Sequence, residues 1–260
     1  MAKNTVESIK EAYDRDGYVT IPDVLDAELM QEADSHIQWL MRKHPNVRPE
    51  NLHSNFMPND PFWLRLVSDD RLLDIAQQFI GPDIALYRSQ YLSKPPFDGK
   101  PVLWHQDGSY WNLDPMEVVT LWLAVDDSLP ENGCMRVIPG TQQMQLYELQ
   151  ERSDVKSVFG SGINTSLVDE SKAVDVILKK GSVSIHHPNV IHGSNANHSP
   201  LRRCGLLIRY IPTTTRIVSE DQWPYAFLLR GNANEGINQY LPKPRYIEGQ
   251  HMPFNGCEAW

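Results

Sequence analysis

The sequence predicts a mainly β protein, an antiparallel sandwich or barrel preceded by helices, within one domain of 260 residues. Two observations carry this prediction. Residues 4–80 contain segments with apolar side chains at helical spacing. From residue 84 onward, short stretches rich in β-branched and aromatic residues are separated by Pro, Gly, Asn and Asp. This alternation is typical of antiparallel strands joined by turns.

Residues 1–83 are predicted to form a helical N-terminal part. Gly17 ends the first periodic segment, and Asp26 has the side chain that helices prefer at the N-cap position. The predicted elements are a helix over 4–16, a short strand over 18–21, a helix from the cap Asp26 to about Lys43, and a helix over 70–80 that ends at Gly81.

Residues 84–212 are predicted to form the β core. The polar, irregular residues 142–172 interrupt it as an insertion or lid. Residues 213–260 mix Pro, Asn and aromatic residues without a period, so we expect a C-terminal wrap with some helix. The predicted strands are 84–93, 102–106, 118–126, 134–138, 174–178, 182–187 and 203–211, with a short extended piece after Pro188.

Charge and cysteine content restrict the classes of partner. The formal net charge is −9, which argues against a general nucleic-acid binder because neutralising phosphates needs clustered Lys and Arg. No apolar run approaches the roughly 20 residues of a membrane helix, and the first residues show no secretory pattern. The three cysteines are odd in number and widely spaced, so we expect a cytoplasmic protein without a disulfide framework.

The tripeptide His105-Gln106-Asp107 is the clearest candidate for a metal site. On a strand, residues i and i+2 point to the same face, so His105 and Asp107 can aim at one point inside a barrel. Two histidines and one carboxylate leave three positions open on iron(II), for a bidentate co-substrate and dioxygen. The spacing alone leaves four candidates for the third ligand: His186, His187, His192 and His198.

The strand over 203–211 carries two arginines, Arg203 and Arg209, at positions that share one face. An inward arginine on an apolar strand is costly unless it is paired. A keto-acid co-substrate such as 2-oxoglutarate has a far carboxylate that an arginine fork can pair bidentately. We therefore expect one of the two arginines to meet an anion.

Eight short motifs occur in a fixed order along residues 12–212. They are Asp16-Gly17-Tyr18-Val19, Phe79-Ile80-Gly81-Pro82, Lys94-Pro95-Pro96, Trp104-His105-Gln106-Asp107, Trp122-Leu123-Ala124, Asn132-Gly133-Cys134, Ile138-Pro139-Gly140-Thr141, and His192-Gly193-Ser194 with Arg202-Arg203. In order and spacing the chain resembles the phytanoyl-CoA dioxygenase family of iron(II)/2-oxoglutarate oxygenases.

The resemblance implies a double-stranded β-helix, a cupin-like jelly roll, with N-terminal helices packed against it. Iron(II) would be the metal, and 2-oxoglutarate and O2 the co-substrates. Arg209 would then be a substrate-side or structural residue. The site residues that the resemblance implies are the metal ligands His105, Asp107 and His192, and, for 2-oxoglutarate, Arg203, Ser194, Gln90 and Trp122.

The implied activity is oxidation of a C–H bond in a small-molecule metabolite, with 2-oxoglutarate and O2 converted to succinate and CO2. Hydroxylation is the expected outcome, and desaturation, ring formation and demethylation are the alternatives. Related halogenases carry Ala or Gly in place of Asp107, whereas this chain keeps the carboxylate. The alternatives are a cupin-like metalloenzyme of another class, a non-catalytic 2-oxoglutarate-binding protein, and a carbohydrate-binding sandwich. The intact ligand set and Arg203 argue against the last two.

The substrate pocket is predicted from residues after the tripeptide and in the C-terminal wrap. The candidates are Tyr110, Trp111, Arg209 and Trp223. Aromatic walls suit either a cationic amine, through cation–π attraction, or a planar natural product. An acyl-CoA is disfavoured because the sequence has no obvious basic patch for its phosphates.

Overall fold

The N-terminal part of the chain is helical in a computed structural model, which describes residues 6–260. Its helices are α1 (Val6–Asp16), α2 (Ala27–Lys43), α3 (Pro61–Val67) and α4 (Asp70–Ile80). The predicted helices over 4–16, 26–43 and 70–80 are confirmed for the described residues; residues 4 and 5 lie outside them. None of the described helices combines the length and apolar character that a membrane span needs.

The start of α2 follows the local rule that predicted it. The Asp26 carboxylate accepts a hydrogen bond from the Leu29 backbone N–H at 2.9 Å, which satisfies one of the free donors of the first turn. Helix α3 was not predicted. Its sequence, PFWLRLV, is apolar on almost every side and shows no helical period, although Asp60 caps it through the Trp63 backbone N–H at 2.9 Å.

All strand pairs are antiparallel. Six strands form one sheet in the order β1-β10-β5-β12-β2-β14, and four form the facing sheet in the order β3-β11-β6-β9. The strands are β1 (Tyr18–Ile21), β2 (Ile84–Lys94), β3 (Val102–His105), β4 (Leu113–Asp114), β5 (Val119–Ala124), β6 (Met135–Ile138), β7 (Gln150–Glu151), β8 (Ser161–Gly162), β9 (Val174–Val176), β10 (Val183–His186), β11 (Ile191–Ser194), β12 (Arg203–Pro212), β13 (Arg216–Ile217) and β14 (Phe227–Arg230).

Every predicted strand is present, with ends that differ by at most about two residues. The extended piece after Pro188 is β11. The predicted helix in the C-terminal wrap is wrong. Residues 213–260 add β14 to the edge of the six-stranded sheet, and their only helical piece is the short 3₁₀ turn Cys257–Ala259. Frequent Pro and Asn residues in this part disfavour a longer helix.

The six-stranded sheet is buried on both faces. In β12, Leu206, Ile208 and Tyr210 pack against the helices, whereas Leu207 belongs to a second apolar cluster between the two sheets. A strand that is covered on both faces has a nearly continuous run of apolar residues in its sequence. A charged residue at an inward position of such a strand is therefore unusual. Arg203, at a position of that inward face, is one such residue.

The end of the chain packs on the N-terminal helices. Phe254 contacts Phe62 of α3 with ring centroids 5.5 Å apart, and Trp260 in turn lies against Phe254. The Trp260 carbonyl accepts a hydrogen bond from the Tyr246 backbone N–H at 3.0 Å. The C-terminal wrap thus closes over the helical side, away from the four-stranded sheet.

Candidate metal and co-substrate site

Neighbouring strands bring together His105, Asp107 and His192. In the pairing of β3 with β11, His192 lies opposite His105, with ring centroids 4.1 Å apart. Asp107 begins a 3₁₀ turn directly after β3, and Gln106 between them keeps an extended backbone, so the alternation continues and both side chains point inward. The potential ligand atoms of the three residues all lie within 4.8 Å of one another.

The two histidines are oriented in the same way. Nδ1 of His105 lies 2.8 Å from the Leu103 carbonyl, and Nδ1 of His192 lies 3.0 Å from the Val190 carbonyl. Each ring therefore donates its Nδ1 proton to the backbone two residues earlier, which leaves Nε2 as the ligand atom. Two imidazole nitrogens and one carboxylate on one side of a cavity suit iron(II) with open positions.

Asp107 is buried among cationic and imidazole groups. Burial alone raises the pKa of a carboxyl, but the positive charge of Arg209, whose Nη2 lies 3.4 Å away, and contacts with His105 and His186 outweigh it. The pKa of Asp107 consequently lies well below its usual range. The carboxylate is ionised, as a metal ligand must be.

The three other histidine candidates lie outside this group. His187 accepts the Asn189 backbone N–H and stacks near Tyr13, and His198 is exposed. His186 is fully buried, its ring centroid 4.8 Å from that of His192, and neither of its nitrogens has a hydrogen-bond partner within residues 6–260. Its Nε2 lies 3.7 Å from the Asp107 carboxylate, so it flanks the site without joining the group of three.

A cavity extends from the metal group between the two sheets and ends at Arg203. Its lining includes Trp122, Ser194 and Leu207. The Arg203 guanidinium lies 4.5 Å from the centre of the Trp122 ring, and its Nε donates a long hydrogen bond, 3.5 Å, to Ser128 Oγ. Burial lowers the pKa of Arg203 to about 10, so it stays charged at neutral pH. The cavity thus ends on a buried cation that can receive a carboxylate.

Lys94 is a second cation at this end that sequence reasoning missed. It lies opposite Arg203 in the pairing of β2 with β12 and is fully buried. Its ammonium donates to Ser194 Oγ at 2.7 Å and to the Asn195 carbonyl. Burial, and then the charge of Arg203, lower the pKa of Lys94 to about 6.

A second cavity adjoins the metal group on the opposite side and has an empty volume of about 470 Å³. It shares Asp107, Phe159 and Arg209 with the first. Two of the substrate-pocket candidates, Tyr110 and Trp111, line it. The remaining lining residues are His53, Arg88 and Gln90.

Two sequence-predicted positions differ from the structure. Gln90 lines the second cavity and not the one that ends at Arg203, because it stands two inward positions before the Lys94 end of β2. Trp223 lines neither cavity. Its Nε1 donates to the Tyr87 carbonyl at 2.7 Å, and its ring stacks on that of Tyr87 in an apolar cluster that also contains Trp111.

The insertion contributes a wall of the site. Phe159 lies with its ring centroid 5.7 Å from that of His105 and 6.2 Å from that of Tyr110. Gln106, between the two ligands, holds this segment in place by accepting the Tyr147 backbone N–H at 2.9 Å. Because residues 142–172 carry no period, the sequence could not indicate which of them reaches the site.

Comparison with known proteins identifies a family and several similar enzymes. The phytanoyl-CoA dioxygenase (PhyH) family model matches residues 13–205. A probable alpha-ketoglutarate-dependent hypophosphite dioxygenase of Stutzerimonas stutzeri is 33% identical over 200 residues, which cover 75% of this chain but 63% of that protein. The L-proline trans-4-hydroxylase of Streptomyces griseoviridis is 28% identical over 252 residues, 83% of this chain and 93% of that one.

The solved structures agree on the fold. The apo form of the non-heme monooxygenase ThoJ superposes with a TM-score of 0.77 at 25% identity, covering 91% of this chain and 88% of that chain. The predicted cupin-like jelly roll with N-terminal helices is therefore confirmed. The chain belongs to the phytanoyl-CoA dioxygenase family of 2-oxoglutarate-dependent oxygenases.

Proposed function

We propose that the protein hydroxylates a C–H bond of a small metabolite, using iron(II) held by His105, Asp107 and His192. 2-Oxoglutarate and O2 are the co-substrates, and succinate and CO2 the co-products. The observation that carries this proposal is one continuous cavity with a histidine–carboxylate–histidine group at one side and the buried cation Arg203 at its end. 2-Oxoglutarate, a five-carbon keto acid, matches such a cavity because its keto-acid end can bind the metal and its far carboxylate can pair with Arg203.

Bound iron(II) supplies the activation of dioxygen, and the protein supplies orientation. Arg203 and Lys94 receive the far carboxylate of 2-oxoglutarate, and their pairing fixes how deep the co-substrate sits. Lys94 donates to Ser194 Oγ, so the hydroxyl proton of Ser194 is directed towards the same carboxylate. Trp122 forms a flat wall beside the chain of the co-substrate, and Phe159 limits the access of water to the metal side.

The test is succinate release from 2-oxoglutarate under saturating iron(II), ascorbate and O2. We expect His105→Ala and Asp107→Ala to abolish it, because each removes one of the three proposed ligands. His198→Ala, which changes an exposed histidine, is the matched control and should retain activity. Undiminished turnover in either ligand variant would disprove the metal assignment.

We also propose that the protein acts in the cytoplasm on a small molecule, with neither nucleic acid nor membrane as a partner. The net charge of −9 supports the absence of nucleic-acid binding. The three cysteines are free thiols, of which Cys134 and Cys204 are buried, and this supports a reducing compartment.

A further inference from the structure

The paired strands β2 and β12 carry cations at both ends of their inward face. Lys94 lies opposite Arg203 at one end, and Arg88 lies opposite Arg209 at the other. Six residues separate the two pairs along β2, which is about 20 Å at roughly 3.4 Å per residue. The far carboxylate of 2-oxoglutarate accounts for the first pair. The second pair lines the other cavity, about 20 Å along β2 from the first pair, so the far carboxylate does not reach it. Arg209 also lines the first cavity, whereas Arg88 lines only the second.

Arg209 is buried, with donors that the protein does not use. Its side chain is 5% exposed, and Nη2 lies 3.4 Å from the Asp107 carboxylate. Nε and Nη1 have no hydrogen-bond partner in the described part of the chain. The guanidinium stacks 5.0 Å from the centre of the Trp111 ring, which holds its plane against the cavity wall. A desolvated guanidinium with two unused donors requires an acceptor.

The residues that line the second cavity include more basic than acidic side chains. Asp107 is the single acid among its lining residues, and the proposed function assigns that carboxylate to iron(II), which brings further positive charge. Burial, and then the charge of Arg209, lower the pKa of Arg88, as expected for like charges at opposed positions. His53, beside them, contributes no counter-charge. A cationic amine would add to this excess, so the amine alternative raised by the aromatic residues is unfavourable here.

We propose that the substrate carries an anionic group, a carboxylate or a phosphorus oxyanion, which Arg209 and Arg88 bind in the second cavity beside the metal. This inference rests on the proposed function, since it names the substrate class of the same site. The remainder of the substrate would lie against Tyr110, Trp111 and Phe159, which form the apolar side of the cavity. The anion is then held on the β2–β12 side, and a neighbouring C–H bond faces the metal.

The experiment measures binding with four probes that share a phenylethyl group and differ in charge. They are 3-phenylpropanoate, 2-phenylethylphosphonate, 3-phenylpropanamide and 3-phenylpropylammonium. Tryptophan fluorescence reports occupancy because Trp111 lines the cavity. Titrations use protein saturated anaerobically with iron(II) and 2-oxoglutarate, so that the co-substrate site is filled, and are repeated with metal-free protein.

We expect at least one of the two anions to bind about tenfold or more tightly than the amide, as charge-assisted hydrogen bonds require. The tighter anion distinguishes a carboxylic acid from an organophosphorus acid. Arg88→Gln should remove this preference, and Arg88→Lys, which keeps the charge but loses the fork, should retain part of it. Arg216→Gln, the same charge change at an exposed arginine outside both cavities, should leave the preference unchanged.

Equal binding of the amide and both anions, or tighter binding of the ammonium probe, would overturn the inference. So would an unchanged preference in a folded Arg88→Gln variant. If Arg88→Gln does not fold, the comparison of the four probes on the wild-type protein still tests the inference. Absence of an iron–2-oxoglutarate complex in the same samples would instead contradict the proposed function, and the metal-free titration would still decide the anion preference.

Discussion

Lys94 shows how a single buried charge can set the behaviour of the co-substrate end of the cavity. Its ammonium is surrounded by Arg203, Ser194 and the Asn195 carbonyl, without a carboxylate in contact among the described residues. Its pKa of about 6 means that it is mostly neutral at pH 7.5. A bound carboxylate favours the charged form and raises the pKa again.

We therefore expect 2-oxoglutarate binding at pH 7.5 to take up close to one proton from the buffer. The affinity is greatest near and below pH 6, where Lys94 is already protonated, and declines as the pH rises above 6. Calorimetry in buffers of different ionisation enthalpy measures the uptake. In Lys94→Met the proton uptake should disappear and the affinity for 2-oxoglutarate should fall. If this variant takes up as many protons as the wild type, a group other than Lys94 binds the proton.

Residue-level reasoning from the sequence placed His105 and Asp107 on one face because strand alternation, carried through Gln106, is a local property. Spacing left the third ligand open among four histidines, and only the family resemblance pointed to His192. The sequence reasoning missed Lys94, since a lysine at the end of a strand normally reaches solvent and only the pairing with β12 shows that it is covered. It also assigned Trp223 to the substrate pocket. Aromatic character gave no information about which face of Tyr87 that ring would occupy.

The packing of β5 on β12 depends on the absence of a side chain at Gly205. A Cβ at this position would lie 1.9 Å from an atom of the Trp122 ring, which occupies the space above the glycine. Trp122 in turn lies under the Arg203 guanidinium. The glycine therefore positions one wall of the co-substrate cavity, although it contacts no ligand itself.

Gly205→Ala should destabilise the protein by about 1–3 kcal/mol, because an overpacked core must shift. It should also weaken 2-oxoglutarate binding by displacing Trp122. Urea unfolding and a 2-oxoglutarate titration measure the two effects. Cys204→Ala, on the opposite face of the same strand, is the control: it should lower stability through a small cavity but leave 2-oxoglutarate affinity intact. Equal losses of affinity in both variants would mean that strand distortion alone is responsible.

Helix α3 is held by a buried charge network that its sequence did not reveal. Asp60 caps the helix, and its other oxygen lies 2.9 Å from Nε2 of His36 on α2. The opposite ring nitrogen of His36 lies 3.1 Å from the Tyr91 hydroxyl on β2. The network joins two helices and the six-stranded sheet, so α3 owes its place to tertiary contacts and not to an amphipathic period.

Asp60→Ala should lower the free energy of unfolding by about 3–5 kcal/mol, since it leaves a buried partner unpaired and removes a cap. Glu32→Ala removes a partly exposed ion pair between Glu32 of α2 and Arg65 of α3. It should lower the free energy of unfolding by about 1 kcal/mol or less. Chemical denaturation compares the two. A small effect at Asp60 would show that the network contributes little beyond packing.

The whole molecule is a jelly roll whose two sheets supply different parts of one site. The four-stranded sheet provides the metal group through β3 and β11, and the six-stranded sheet provides the cations through β2 and β12. The sequence predicted this architecture well, because strand patterning and the ordered motifs are spread along 12–212. It did not predict how residues 142–172 cover the site, since Phe159 is placed by contacts with the barrel and not by a local pattern.

Because the site lies between the sheets, filling it should stabilise the whole fold. Iron(II) and 2-oxoglutarate, each at about a hundred times its dissociation constant, should contribute up to about 2.7 kcal/mol apiece. At roughly 2–4 °C per kcal/mol for a chain of this size, both ligands together should raise the melting temperature by up to about 11–22 °C. Thermal denaturation with and without a chelator measures the rise, and His192→Ala should lose the part due to iron. An identical rise in that variant would place the metal elsewhere.

The central claim is that one cavity holds iron(II) and 2-oxoglutarate together. Adding both to the purified protein without oxygen tests it most directly, through the weak visible absorption band of the chelate. We predict that the band appears in the wild-type protein and in His198→Ala and is lost in His105→Ala. A protein that binds iron but gives no band, or a His105→Ala variant with an undiminished band, would contradict the account.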